Sequence, residues 1–156
     1  NLLTHSKKST INLINANVLD LYAGTGSFGL ECLSRGAKNI CFIENNKSAF
    51  NILQKNIEKL KIKKKTQSFF SDVFLLINKK IINRLKFDLI FCDPPFKNTN
   101  LNELIELIFD KKLLNKNGII ILHRNNSSKE IFPKCFNILD ERIYGKSKIT
   151  FANFLA

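Results

Sequence analysis

Asp93, Pro94, Pro95 and Phe96 follow one another directly after an apolar run from Phe87 to Cys92. Two prolines end a central strand and fix the backbone as a rigid turn. Such a turn can aim two acceptors, the Asp93 carboxylate and the Pro94 carbonyl, at the two hydrogens of one exocyclic NH2 group. Holding both hydrogens steers the nitrogen lone pair toward an electrophile. Phe96 offers a flat face for a base to stack on, a contact worth about 1–3 kcal/mol per unpaired base. A ring-conjugated amine is a weak nucleophile, and positive charge grows on its nitrogen during attack. A carboxylate beside that nitrogen lowers the barrier. The released proton can go to Asp93 or to water; the residues allow both. The base must be unpaired or flipped out of its stack. Taken alone, these residues would also serve as a structural Pro-Pro turn.

A second constellation lies upstream: Asp20-Leu21-Tyr22-Ala23-Gly24-Thr25-Gly26-Ser27, with Gly29 completing a G-x-G-x-x-G string. The glycines permit a sharp turn and a close approach of backbone to ligand. The helix that follows presents free N–H groups at its start. The string also fits a dinucleotide-dependent oxidoreductase. Glu44, whose carboxylate can accept from a ribose diol, does not discriminate. Asp20 does, because a carboxylate there repels a pyrophosphate and suits a donor that carries a sulfonium and an ammonium. Asp72 can accept from an adenine amino group, with Val73 against the ring; Asp72 also reads as a helix N-cap, and the two roles are compatible. The combination points to S-adenosylmethionine as methyl donor. The plain alternative for Asp20 and Glu44 is a pair of surface carboxylates.

The elements that must position these residues alternate between strand and helix. Strands are predicted at 18–22, 39–43, 66–70, 87–92 and 118–122, and two final strands at 136–142 and 148–155 joined through Gly145. Helices are predicted at 27–35, stopped by Gly36, and at 46–60, 73–85 and 101–112. One face of the second carries Phe50, Leu53, Ile57 and Leu60; one face of the last carries Leu101, Leu104, Ile105 and Ile108. Alternation of this kind means an α/β fold with a parallel sheet and helices on both faces. The chain of 156 residues fits one domain, 1–156.

Composition narrows the setting. No apolar run reaches the roughly 20 residues that span a bilayer, and Lys7 and Lys8 precede a mixed stretch rather than a leader. A cytoplasmic protein with no membrane partner is expected. Cys32, Cys41, Cys92 and Cys135 form no C-x-x-C pair, and neither His5 nor His123 sits at metal spacing from a cysteine. No metal site is expected, and all four cysteines read as small buried hydrophobes. The formal net charge is +12, which attracts phosphate polyanions. An AT-rich coding bias toward Lys, Asn and Ile explains part of it. The cluster Lys59, Lys61, Lys63, Lys64 and Lys65 reads as a solvated loop or as a contact with RNA backbone.

The residues from Asp20 to Ala37 resemble the small-subunit (16S) ribosomal RNA guanine-N2 methyltransferases, which read D-x-F-A-G-S-G-x-L-G-x-E-A-L-S-R-G-A here. Glu31 to Ala37 is the specific part, since no generic cofactor motif requires it. Asp93 to Phe96 matches the (D/N)-P-P-(Y/F/W) signature of class I methyltransferases acting on exocyclic amines. Tyr144-Gly145-Lys146-Ser147-Lys148 looks like that family's last hairpin. Tyr22 and Thr25 replace the commoner Phe and Ser. The resemblance implies a Rossmann-like, mostly parallel seven-stranded sheet with a C-terminal antiparallel hairpin. It implies S-adenosylmethionine held by Asp20, Tyr22, Ala23, Gly24, Thr25, Gly26, Glu44, Asn45, Asp72 and Val73. It implies a guanine amine of 16S ribosomal RNA held at Asp93, Pro94, Pro95 and Phe96, in an assembling small subunit, by a monomer. Asn1-Leu2-Leu3-Thr4 looks like the end of the family's N-terminal helix, so a chain without the upstream basic hairpin and most of that helix is expected. The rival acceptors are a DNA adenine or cytosine and a protein glutamine, whose enzymes more often carry Asn at the position of Asp93. A non-enzymatic RNA-binding assembly factor is the remaining reading, and the intact Asp93 speaks against it.

Overall fold

A computed structural model describes residues 11–97 and 100–155; Asn1 to Thr4, His5, Lys7 and Lys8 lie outside them. The strands are β1 (Asn17–Leu21), β2 (Asn39–Glu44), β3 (Thr66–Phe70), β4 (Phe87–Cys92), β5 (Leu114–Asn125), β6 (Phe136–Tyr144) and β7 (Ser147–Phe154). The helices are α1 (Ser27–Ser34), α2 (Lys47–Leu60), α3 (Val73–Ile77), α4 (Lys80–Asn83) and α5 (Leu101–Asp110). The seven strands form one sheet in the order β3-β2-β1-β4-β5-β7-β6. The first five are parallel, and β7 pairs antiparallel with both β5 and β6. Chain order reverses between β1 and β4, and the crevice beyond the carboxyl ends of these strands is where such sheets take ligands. The α/β expectation and its closing hairpin therefore hold.

Both sheet faces are covered because alternate strand residues point to opposite sides. Leu19, Leu21, Ile90 and Ile120 pack with Val73, Ile77, Leu104 and Ile108 from α3 and α5. Val18, Ile40, Phe42, Leu89 and Ile121 pack with Cys32, Leu53 and Ile57 from α1 and α2. The central strands are thus apolar on both sides, as parallel strands require.

Helix α1 ends where the sequence said it would. Gly36 has φ 104°; its N–H donates to the Leu33 carbonyl at 3.1 Å, and the Ala37 N–H donates to the Cys32 carbonyl at 3.0 Å. These two bonds are a Schellman stop. Glu31 and Arg35, one turn apart, form an ion pair at 2.8 Å. The Glu31 to Ala37 segment is therefore a helix terminator, with a structural job rather than a chemical one.

Four expectations need correction. The helix expected at 73–85 is two short ones, because Lys79 is extended (φ −86°, ψ 145°) and Asn78 caps α3, its Nδ2 donating to the Phe74 carbonyl at 2.9 Å. Apolar periodicity runs through the break and hides it. Strand β5 begins at Leu114, and its ladder to β4 jumps from Phe87↔Leu114 to Leu89↔Ile119; that irregular stretch masks the strand's start. On α2, Leu53 and Ile57 are buried but Leu60 is exposed in the last turn, beyond the edge of the sheet. Cys32, Cys41 and Cys92 are buried free thiols, whereas Cys135 is only half-buried, since it precedes β6 in the surface link from β5. Among the described residues no helix is long and apolar enough to cross a membrane.

Candidate active site

Sheet register decides what meets at the carboxyl edge. Leu21 lies opposite Ile43 on one side and Cys92 on the other, and Cys92 lies opposite Leu122. The next residues along are Tyr22, Glu44, Asp93 and His123, so these four strand ends open onto one crevice.

The glycine turn is bolted to β2. The Ala23 N–H donates to the Ile43 carbonyl at 3.0 Å, and the Gly24 N–H donates to Glu44 Oε2 at 2.6 Å. Glu44 Oε1 accepts from the N–H groups of Asn45 and Asn46 at 3.0 and 2.9 Å. A carboxylate has about four lone-pair sites; three are met by backbone N–H groups, which fix its orientation. Tyr22 starts the turn in the left-handed region at φ 58°. Asn56 Nδ2 donates to the Thr25 carbonyl at 3.1 Å, tying the turn to α2. Gly26 has φ 92°, and a Cβ there would stand 2.4 Å from Leu53 Cδ1. The positive φ disfavours any side chain at Gly26, and a Cβ there would also push Leu53 aside.

Asp20 is not a surface carboxylate. It is 1% exposed, and its Oδ2 accepts from the Gly29 N–H at 3.1 Å. It braces the start of α1 from within the core. Burial raises its carboxyl well above the usual range; the Gly29 N–H opposes this, and the charges of Asp93 and Glu44 add to it. Gly29 must itself lack a side chain, since a Cβ would meet the Phe42 ring at 2.4 Å. Phe28, beside it, stacks on Phe91 with centroids 3.9 Å apart, which pins the helix start to β4.

Asp72 caps α3, its Oδ1 accepting from the Leu75 N–H at 3.1 Å, so the helix-cap role is real. The preceding Ser71 N–H donates to the Glu44 carbonyl at 3.1 Å, bringing Asp72 beside Glu44. Val73 is 3% exposed and belongs to the core under α3, where only its margin can touch a ligand.

The Asp-Pro-Pro-Phe turn is held by β5. Asp93 Oδ1 accepts from His123 Nδ1 at 3.0 Å, and His123 Nε2 meets Ser147 Oγ at 2.9 Å. The tautomer with the proton on Nδ1 satisfies both contacts. The Arg124 Nη1 group donates to the Pro95 carbonyl at 3.1 Å, and its Nε donates to Glu130. Neighbouring residues of one strand thus grip both ends of the turn. Pro94 is buried, while Phe96 is 65% exposed and presents its ring outward. Burial raises the Asp93 carboxyl, and His123 and Arg124 pull it back. His123, Arg124, Glu130 and Ser147 were missed as site residues. Counting register from Cys92 to Leu122 would have found His123.

Glu44 and Asp93 thus place carboxyl groups at one edge of a strongly basic chain, with Asp20 buried behind them. That edge suits a cationic ligand, and the turn beside it suits an amine. Among the described residues no group of three His, Cys, Asp or Glu side chains stands together as a metal site requires.

Residues 2–153 match the family model described as Conserved hypothetical protein 95. The chain belongs to this family. Ribosomal RNA small subunit methyltransferase D of Haemophilus influenzae is 33% identical over 127 residues, which is 81% of this chain and 66% of that protein. The family member at hand therefore spans just under two thirds of that relative's length. A solved structure of a candidate methylase from Haemophilus influenzae superposes with a TM-score of 0.81 at 27% identity, covering 92% of this chain and 89% of the other. A candidate methyltransferase complexed with S-adenosylhomocysteine superposes at 0.75 and 19% identity, covering 90% and 46%; it shares the fold.

Asp20 makes a pH test possible. Between the ordinary Asp value of about 3.9 and its raised folded value, the folded protein binds more protons than the unfolded chain. Stability contributed by this group therefore falls as pH rises through that window. Asp20→Asn keeps an oxygen for the Gly29 N–H and removes the charge. Thermal unfolding should give a variant-minus-wild-type Tm difference that starts small near pH 4 and becomes more positive toward neutral pH. A difference that falls with pH would show that the fold needs the ionised carboxylate.

Proposed function

We propose that this chain transfers a methyl group from S-adenosylmethionine to the exocyclic N2 amine of a guanine in 16S ribosomal RNA, within an assembling small subunit. One observation carries the reading: Asp93 leaves β4 next to the glycine turn that follows β1 and level with Glu44 on the far side of β1, with its carboxylate held by His123. Amine acceptor and donor pocket then share one edge.

The residues present fit the donor. Glu44, with one lone-pair site left by the backbone, would accept from the ribose, and Tyr22, Ala23, Gly24, Thr25 and Gly26 would line its path. Asp72 keeps Oδ2 for an adenine amino group, with Asn45 beside it. When bound, the donor supplies an electrophilic methyl group on a sulfonium. Asp93 Oδ2 and the Pro94 carbonyl take the two hydrogens of the guanine amine, while Phe96 stacks on the base. As positive charge grows on the nitrogen, the adjacent carboxylate stabilises it. The rigid Pro-Pro backbone keeps this geometry without reorganisation. Asp rather than Asn at position 93, the likeness of residues 20–37 to guanine-N2 enzymes and the similarity to a ribosomal RNA small subunit methyltransferase of Haemophilus influenzae support the RNA guanine over DNA bases or glutamine.

The direct test is incubation with methyl-labelled S-adenosylmethionine and small-subunit particles lacking base methylation, followed by mapping. Label on one guanine N2 is expected; label on DNA, on protein or nowhere overturns the reading. His123 gives a second prediction. It acts through Asp93, so His123→Ala should lower kcat by about 10–100-fold with donor affinity nearly unchanged. His123→Asn, whose amide can reach Asp93 as Nδ1 does, should recover most of that rate. Equal losses in both variants would mean that His123 only supports the fold.

A further inference from the structure

At the opposite edge of the sheet, where β1, β2, β3 and β4 begin, the chain forms a cleft of about 530 Å³. Lys64 and Lys65 reach it from the short 3-10 turn (Lys63–Lys65) ahead of β3, and Arg84 and Lys86 from the link between α4 and β4. Two segments about twenty residues apart in sequence thus place four exposed cations around one opening. None of the chain's 13 acidic residues lines it. Asp88, a strand carboxylate behind the lining, accepts from the Asn17 N–H at 2.9 Å and from Asn115 Nδ2 at 2.7 Å, one bond to each oxygen from residues that line the cleft. The Lys86 ammonium donates to the Lys112 carbonyl and has two further hydrogens. Amide side chains of Asn39 and Gln67 add neutral donors.

We propose that this cleft is a second RNA-binding site, which takes phosphodiester groups of the substrate RNA on the edge opposite the methyl-transfer turn. This rests on the RNA reading above. Four cations with amide donors and no acid are the chemistry of phosphate contact, which positions nucleic acid without reading its sequence. The volume falls within the range of sites for nucleotide-sized ligands. Strand β4 separates the cleft from Asp93 by six residues, roughly 20 Å at the strand rise. One nucleotide cannot bridge that distance, so a single ligand that reaches both edges must be a polymer.

Of the lysine-rich run, only Lys64 and Lys65 line the cleft, while Lys59 and Lys61 do not. That difference supplies the control. Lys64→Glu/Lys65→Glu and Lys59→Glu/Lys61→Glu change the net charge equally on exposed positions. Filter binding of small-subunit ribosomal RNA should show the cleft variant weakened at least about tenfold, with the log Kd against log salt slope reduced by about 0.7–0.9 per phosphate lost. The control should change less than about threefold. Donor affinity, read by calorimetry, should stay the same in both and reports that each variant is folded. Equal weakening in both variants, or none in the cleft variant, overturns the proposal while leaving methyl transfer intact. Wild-type protein that binds no RNA overturns the functional reading itself. A free mononucleotide that binds wild-type protein but not the Lys64→Glu/Lys65→Glu variant, and that leaves RNA binding unchanged, would make the cleft a small-anion site and also overturn the proposal.

Discussion

Parallel pairing of β1 with β2 and β4, and of β4 with β5, is the constraint on which the crevice depends. Leu21, Ile43, Cys92 and Leu122 stand level across four strands. The residue after each of them therefore arrives at the same height. A shift of one residue in β4 or β5 would turn Asp93 or His123 to the other face. The pairing is secured by apolar side chains on both faces, so burial on two sides fixes the height of every polar group at the edge. The Asp93–His123 hydrogen bond is a consequence of that register, as is the stitching of Gly24 to Glu44.

A basic protein with an acidic crevice has a separation of duties. Asp20, buried and bonded to Gly29, holds the helix start against β1 and feels the charges of Glu44 and Asp93. Their mutual repulsion is relieved by a cation at that edge. The surface carries the opposite sign, and its lysines and arginines suit a polyanion. In the proposed reaction, donor and acceptor would be drawn to different parts of the molecule by opposite fields and would meet where the two prolines end β4.

Much of this was legible in the sequence because its signals are local. Gly24, Gly26 and Gly36 mark backbone turns, Asp72 marks a helix start, and the Pro94–Pro95 pair marks the end of a strand. Each follows from steric rules that a few residues satisfy. What stayed hidden depends on contacts distant in sequence. His123 reaches Asp93 across 30 positions, and Arg124 reaches Pro95 across 29. The break at Lys79 is hidden because apolar spacing continues through it. The burial of Asp20 could not be read from its type, since a carboxylate after a hydrophobic strand residue is equally expected on the surface. The Glu31 to Ala37 segment identifies the family through a helix stop, so its likeness speaks to ancestry more than to chemistry.

The central claim is that Asp93 serves the amine and not the donor. Measuring single-turnover methyl transfer and donor affinity on the same Asp93→Ala protein tests it most directly. Donor binding should stay within a few-fold of wild type while transfer falls by at least about 100-fold, the scale on which one preorganised electrostatic partner acts. Transfer that persists near the wild-type rate would contradict it, and so would loss of donor binding together with transfer.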